Sequence, residues 1–320
     1  MYPYPRGPLS LLLICLAAVP LGAQVPRGVQ LFDAGDWAGA TTELAATIRR
    51  NDRDARAHYY LGRLAMLDDD ADAAAAQFER AVALDDTIAD YHLWYGAALS
   101  QQAGRASKLK QPFLATRVLS EFERAVALDP RSIEARDSLV DFYSMAPGFM
   151  GGGTGKARDQ AQALARIDAA RGHLAFARLA IAAKDTSTAE REMQAAIASA
   201  PNTFRPYSAL ANWYARDKRW PEAFAALEPY IKQHPDDPYG PYGIGRIAAL
   251  SGQQLDRGEN GIRAFIAKPP KDAGALVLSG AWRRLGLVLE FQGQRAESQR
   301  AIKQALTLDP RNQEAKKALR

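Results

Sequence analysis

Histidine is the side chain best suited to bind a metal or to transfer protons near neutral pH. The chain has four, and they are far apart in sequence: His58, His92, His173 and His234. Local zinc motifs place a second histidine or cysteine within a few residues of the first. None of the four has such a neighbour. The sequence therefore predicts no zinc site, and we expect no cofactor.

An acidic run beginning at Asp68 has the carboxylate spacing of a calcium-binding loop. Asp68, Asp70 and Asp72 alternate with other residues, and Glu79 stands at the twelfth place. The sixth place of such a loop needs glycine for a sharp turn, but it is occupied by Ala73. The run instead predicts a solvated turn, whose acids favour the start of the following helix.

A glycine-rich segment, 146–156, could in principle hold a phosphate. A P-loop requires glycine, four residues, and then Gly-Lys-Ser/Thr, all following a strand. The corresponding frame here begins at Met150 and ends at Ala157, and no strand is predicted before it. We therefore expect no nucleotide site. Weak anion binding at the start of the next helix remains open, and so does a loop whose exposed Phe149 and Met150 contact a partner.

No other arrangement predicts a reaction. The Gly-x-Ser-x-Gly motif of serine hydrolases is absent, and the single cysteine is Cys15, near the amino terminus. Carboxylates are numerous, but they follow the outer faces of predicted helices, as solvated side chains do. We therefore expect that the protein is not an enzyme.

Composition and charge are those of an ordinary globular chain. Of 320 residues, 48% are hydrophobic and 24% are charged, which excludes a disordered or polytopic membrane protein. The net charge of +5 is spread along the sequence. It is too small for a dedicated nucleic-acid surface, so we expect no nucleic-acid partner.

The first 23 residues are typical of a secretory signal peptide. Arg6 precedes an almost entirely apolar run, 9–19, and small residues follow at 21–23. The apolar run is too short to span ~30 Å of hydrocarbon. We expect cleavage near Gln24 and export to the periplasm or the medium, with no transmembrane segment in the mature chain.

The rest of the chain repeats with a period of 34 residues, which must be recognised before any motif is interpreted. Gly62 and Gly96 are 34 apart, as are Pro201 and Pro235. The phrase Phe-Glu-Arg-Ala-Val-Ala-Leu-Asp occurs at 78–85 and again at 122–129. A related version, 302–309, lies near the carboxyl terminus.

This repeat resembles the tetratricopeptide repeat, a helix–turn–helix unit of 34 residues. Its signature has Leu-Gly and Tyr on the first helix, Ala, Phe and Ala on the second, and Pro at the exit; the second copy supplies Leu61, Gly62, Ala74, Phe78 and Ala81. The resemblance implies an all-α, right-handed α-solenoid of about eight repeats in a single domain. His58 and His92 then occupy a bulky position of the first helix, where an ordinary packed or half-exposed ring is expected.

The resemblance covers about 24–312 and assigns bounds to each unit. The predicted repeats lie near 24–54, 55–88, 89–132, 133–169, 170–203, 204–237, 238–272 and 279–312, with a capping helix at 313–320. Three insertions interrupt the period, at 101–111, 146–156 and 268–278. The first could lengthen the helices of the third repeat or form a loop.

In the tetratricopeptide repeat the first helices line a concave groove, and the resemblance assigns the lining residues. They are mainly basic and aromatic, types that dominate binding hot spots, and comprise Arg56, Tyr59, Tyr60, Arg63, Trp94, Arg171, Arg178, Arg205, Asn212, Tyr239, Tyr242, Arg246, Arg283 and Arg284. The fourth repeat adds an acidic set, Glu134, Asp137 and Asp141. The family's clamp for acidic C-terminal tails is not reproduced, because only Asn212 and Arg284 fall at its positions.

The predicted function is an exported, non-enzymatic scaffold that holds a protein or an extended peptide in this groove. Exposed aromatic rings and arginine forks suit an extended peptide. The alternative is an accessory of cell-envelope polymer or outer-membrane assembly that binds glycan or lipid-linked material, with Trp and Tyr stacking on sugars.

Overall fold

The protein is described by a computed structural model that covers residues 26–270 and 273–319. The signal peptide predicted at 1–23, and the cleavage site near Gln24, lie outside the described residues. Consecutive helices, joined by short turns, make up the described part, and no strand occurs in it.

The helices are numbered α1 to α18 in chain order. They are α1 Arg27–Asp33, α2 Trp37–Arg50, α3 Ala55–Leu67, α4 Ala71–Leu84, α5 Ala89–Arg105, α6 Gln111–Leu128, α7 Ile133–Met145, α8 Thr154–Ile167, α9 Ala169–Ala182, α10 Thr186–Ser199, α11 Phe204–Arg216, α12 Trp220–Ala225, α13 Glu228–Gln233, α14 Tyr239–Ser251, α15 Leu255–Ala267, α16 Ala275–Phe291, α17 Arg295–Leu308 and α18 Gln313–Ala318. A 3₁₀ turn, Gly148–Met150, precedes α8.

Consecutive helices pack in pairs, and each pair packs against the next. Within the described residues the pairs run from α1–α2 to α16–α17, and α12 and α13 share the second position of the sixth pair. The first helices also contact one another in sequence, α3 with α5, α5 with α7, α7 with α9 and onward to α16. Because each pair buries its open face on its neighbour, the architecture is an α-solenoid, which confirms the predicted fold class.

Glycine on the first helix and a large side chain on the second allow the two helices of a pair to approach closely. A Cβ added to Gly62 would lie 2.7 Å from the Phe78 ring, and one added to Gly96 would lie 2.6 Å from the Phe122 ring. Phe78 is fully buried. The glycine of the first helix and the phenylalanine of the second helix therefore form one close contact within each of these pairs.

Several turns between paired helices share one backbone design. A residue with positive φ is followed by an aspartate that caps the second helix: Asp69 precedes Asp70, and Lys184 precedes Asp185. The Asp70 carboxylate accepts a hydrogen bond from the Ala73 amide at 2.9 Å. The turn predicted at 68–72 is therefore shorter in the structure: it ends at Asp70, which satisfies an unpaired amide of α4, and Asp72 already lies in the first turn of that helix.

The insertion at 101–111 lengthens helices. α5 has 17 residues and α6 has 18, compared with 13 and 14 in the preceding pair. In the sixth pair the expected second helix is instead divided into α12 and α13. Pro229 lies at the start of α13, and proline both removes an amide donor and clashes with the carbonyl four residues earlier.

The two ends of the described chain meet through one side chain. Arg311, in the turn before α18, donates a hydrogen bond to the Asp68 carboxylate, 243 positions earlier in the chain. Its guanidinium carbon also lies 4.8 Å from the centre of the Trp37 ring. The solenoid therefore curves far enough for its last turn to touch its first two pairs.

Candidate functional site

A cavity of the described residues runs along the first helices of the fourth to seventh pairs. Its volume is about 940 Å³. Its lining residues lie mostly on α9, α11 and α14, and seven of them are among the predicted groove residues: Arg171, Arg178, Arg205, Asn212, Tyr239, Tyr242 and Arg246. We call this cavity the basic cleft. Leu174, Ile181 and Phe204 supply apolar surface within it.

At one end of the basic cleft the arginines are already neutralised. Asp137 on α7 accepts from Arg171 and from Arg178, both on α9, at 2.6 Å each. Arg178 also pairs with Asp141 at 3.1 Å. Burial raises the pKa of Asp141, and its repulsion from Asp137 adds to this, while Arg178 opposes both. The expectation that the carboxylates would all be solvated is therefore wrong for Asp137, whose side chain is only 19% exposed.

The same cross-repeat geometry recurs two repeats later with neutral partners. Arg246 on α14 donates to the Ser208 hydroxyl at 3.2 Å and to the Asn212 side-chain oxygen at 3.3 Å, both on α11. Arg178 and Arg246 are two 34-residue periods apart. Ser208 and Asn212 thus occupy the places that carboxylates occupy on α7.

A second arginine, Arg284, is not among the lining residues of the cleft but acts electrostatically on Arg246. Arg284 on α16 donates to the Tyr242 hydroxyl at 3.2 Å, and the Tyr242 ring is stacked on Phe265 at 4.1 Å between ring centres. Burial, together with the positive charge of Arg284, lowers the pKa of Arg246. Tyr242 lies four residues before Arg246 on α14, and residues at that spacing share a helix face. The tyrosine therefore holds Arg284 on the face of α14 that carries Arg246.

Two further predicted arginines differ in setting, because only the first of them lines the cleft. Arg205, at the start of α11, is exposed and lines the cleft. Arg283 on α16 is half-buried, and burial and Arg284 lower its pKa while Glu314 opposes this. Across 26–270 and 273–319, no carboxylate forms an ion pair with Arg205, Arg246, Arg283 or Arg284.

The predicted residues of the second and third repeats form a separate cluster, which does not line the basic cleft. The Arg63 guanidinium lies 3.9 Å from the centre of the Trp94 ring and donates to the Tyr59 hydroxyl at 3.0 Å. Tyr59 and Tyr60 meet edge to face. Burial raises the pKa of Tyr59, although Arg63 opposes the shift. Arg56 is exposed beside this cluster, whose rings and cation already contact one another.

The glycine-rich insertion forms a compact turn. The Gly153 amide donates to the Tyr143 carbonyl at 2.8 Å, and Gly151 has a φ of +95°. Phe149 is 81% exposed. Met150 lines a second cavity of about 560 Å³ between α5, α6 and α7. Whether either residue contacts a partner remains a prediction.

The histidines of the second and third repeats are buried and paired. His58 contacts the Gln77 side chain at 2.8 Å, and His92 contacts the Glu121 carboxylate at 2.6 Å. Burial opposes the charged form of His92, but the hydrogen bonds that the ring donates to Glu121 and to the Asp86 carbonyl outweigh it, so the pKa of His92 is raised. These contacts explain both rings as packed elements of a helix pair.

The described residues contain neither a membrane-spanning helix nor a metal-binding cluster. None of their helices combines the length and the apolar character needed to cross a membrane. Nor do their His, Cys, Asp and Glu side chains form a group of three or more that could hold a metal ion.

Sequence reasoning missed the partners of the arginines. Asp137 was predicted to lie in the groove, but not to form ion pairs with the arginines there. Ser208 and Phe204 were not among the predicted groove residues. The signal was available for Ser208: it lies four residues before Asn212 on one helix, as Asp137 lies four before Asp141, and residues at that spacing share a helix face.

Comparison with known proteins supports the repeat assignment. Models of the tetratricopeptide repeat match residues 27–88, 174–238 and 279–312, together about half of the chain. A tetratricopeptide repeat protein of Parabacteroides merdae is 14% identical and covers 92% of this chain and 94% of its own, with a TM-score of 0.45. A thermophilic one of Thermus thermophilus is 20% identical and covers 70% and 94%, with a TM-score of 0.40. The comparison with curated proteins gave no match.

The family follows from these observations taken together. The 34-residue period, the glycine-to-aromatic contacts within helix pairs and the family models all describe the same unit. The fold supports a protein-interaction scaffold in general. The chain belongs to the tetratricopeptide repeat family.

Proposed function

We propose that the protein is an exported, non-catalytic scaffold that holds an extended segment of a partner protein in the basic cleft. The observation that carries the proposal is the convergence of seven predicted groove residues on one cavity of about 940 Å³. Such a cavity along successive first helices is long and open, as an extended chain requires. Export is supported by the signal-like segment 1–23.

The lining chemistry favours a peptide. Half-buried Tyr239 and Phe204 are stacked at 5.9 Å between ring centres, and offer apolar surface to side chains. Asn212 is exposed and has an amide that can pair with a peptide backbone. Aromatic, arginine and amide groups in one groove are the types that concentrate binding energy at protein interfaces.

Site-specific photocrosslinking tests the proposal. A photoreactive amino acid replaces Asn212, within the cleft, or Lys303, an exposed residue of α17 outside it. We expect irradiation of cells that produce the exported protein to attach a discrete partner protein at position 212 and not at 303. Attachment of glycan instead of protein, or equal labelling at both positions, would contradict the proposed groove.

A further inference from the structure

Two arginines that line the basic cleft, Arg178 and Arg246, differ in the charge of their hydrogen-bond partners. Arg178 reaches back to two carboxylates on the preceding first helix, Asp137 and Asp141. Arg246 reaches back in the same way to the equivalent positions of its own preceding helix, Ser208 and Asn212. The first guanidinium is neutralised within the chain, whereas the second is held by neutral dipoles.

Arg246 and its neighbour Arg284 make few hydrogen bonds within the described residues. A guanidinium has five N–H donors. Arg246 uses one on Ser208 and one on Asn212, and Arg284 uses one on Tyr242. Several N–H groups on each side chain therefore remain for a ligand that accepts hydrogen bonds.

The positive charges of Arg246 and Arg284 repel each other. A half-buried cation is costly unless it is paired, and each arginine here is beside a second cation instead. An anion placed between them would relieve that repulsion and accept charge-assisted hydrogen bonds, which are stronger than neutral ones. The arrangement is thus complementary to negative charge.

We infer that the Arg246–Arg284 pair binds acidic side chains of the extended peptide segment held in the basic cleft. This inference rests on the proposed function. A peptide fits better than a nucleic acid because the cleft also offers apolar surface, at Leu174 and Phe204. In addition, the arginines at its other end are already paired with Asp137, so free positive charge does not continue along the cleft to meet a continuous polyanion. Carboxylates spaced along an extended chain match an isolated arginine pair.

Two substitutions test the inference without removing either arginine. Ser208→Asp with Asn212→Asp gives Arg246 the internal carboxylates that Arg178 already has. Lys303→Glu changes the formal net charge by the same amount on an exposed part of α17, away from the cleft. Thermal unfolding by circular dichroism establishes that both variants are folded as the unaltered protein is.

The probe is a phage library of random peptides displayed as internal segments, selected on each protein near neutral pH. We expect the unaltered protein and Lys303→Glu to enrich peptides with Asp or Glu, and the double variant to lose this enrichment. Individual peptides should bind Arg246→Gln about tenfold more weakly, the effect of losing a charge-assisted hydrogen bond.

The outcomes separate this inference from the function it rests on. Peptides selected without acidic enrichment, or with the same enrichment on the double variant, would overturn the role of the arginine pair and leave peptide binding in place. A library that yields no binding peptide on any of the proteins would overturn the proposed function itself.

Discussion

At the scale of single residues, the choice of a neighbour decides what a side chain can do. Arg178 and Arg246 have equivalent positions in their repeats, yet Asp137 neutralises the first, and the second has only Ser208 and Asn212. His58 and His92 form a similar contrast, with a neutral amide beside one and a carboxylate beside the other. The repeat thus fixes positions while individual substitutions set the charge at each.

The buried His92–Glu121 pair predicts a pH dependence of stability. Because the pKa of His92 is raised in the folded protein, its contribution is complete below the unfolded pKa of about 6.5 and is lost as the pH rises through the folded pKa. We expect His92→Gln to remove this loss from the free energy of unfolding, measured by urea denaturation between slightly acidic and slightly alkaline pH.

His58→Gln is the matched control for that measurement. His58 has the same contact to a preceding backbone carbonyl, but its side-chain partner is the neutral Gln77. The pH dependence should survive this substitution. A pH dependence that is unchanged in His92→Gln would show that the ion pair does not contribute to it.

At the scale of helices, close approach is set by glycine. A Cβ on Gly245 of α14 would lie 2.3 Å from Ile262 and 2.8 Å from the Gly258 carbonyl oxygen on α15, whereas one on Gly104 of α5 would meet nothing within 4 Å. The two glycines therefore have different structural roles. Gly245 allows two helices to approach closely, whereas Gly104 serves no such contact and only lowers the stability of its helix.

Alanine substitutions therefore have opposite expected signs. Gly245→Ala should destabilise the protein by about 1–3 kcal/mol through overpacking. Gly104→Ala should stabilise it by about 0.5–1 kcal/mol, because alanine loses less conformational entropy in a helix. Chemical denaturation measures both, and equal effects would contradict the assigned contacts.

At the scale of the whole molecule, the solenoid brings its ends together through Arg311. The contacts with Asp68 and Trp37 join residues more than two hundred positions apart, and they lie at the surface. An exposed ion pair contributes about 0–1 kcal/mol, so we expect this contact to affect the distance between the ends more than the stability.

Arg311→Ala should separate the ends with little loss of stability. Spin labels at Arg49→Cys on α2 and Lys303→Cys on α17 would report a longer and broader distance distribution, while the free energy of unfolding changes by less than about 1 kcal/mol. Arg300→Ala, an exposed arginine near Glu297 on the same helix, is the control. A distribution unchanged by Arg311→Ala would show that packing of the repeats alone sets the end-to-end distance.

The predicted export has a direct measurement. Protein isolated from cells that produce the full chain should lack about the first 23 residues and begin near Gln24, because a signal peptide is removed on translocation. Mass spectrometry of the protein in cell fractions measures this. Recovery of the intact chain in the cytoplasm would contradict the prediction.

The sequence by itself determined the repeat and the residue types of the groove. The period of 34 places Gly62 against Phe78 and Gly96 against Phe122 because helix pairs recur at fixed spacing, and those contacts are local in the chain. It also predicted the turn that begins at Asp68, although the helix starts earlier than expected, at Ala71, because Asp70 is the residue that caps it. Contacts between residues that are close in the chain can therefore be predicted from the sequence.

Only the tertiary structure decided which groove residues lie together and which remain charged. The angle between successive helix pairs brings Asp137 to Arg171 and Arg178, leaves Arg246 and Arg284 with neutral partners, and carries Arg311 to Asp68. Small rotations accumulate over many repeats, and ion pairing depends steeply on distance. The charge of the groove therefore follows from how the repeats stack.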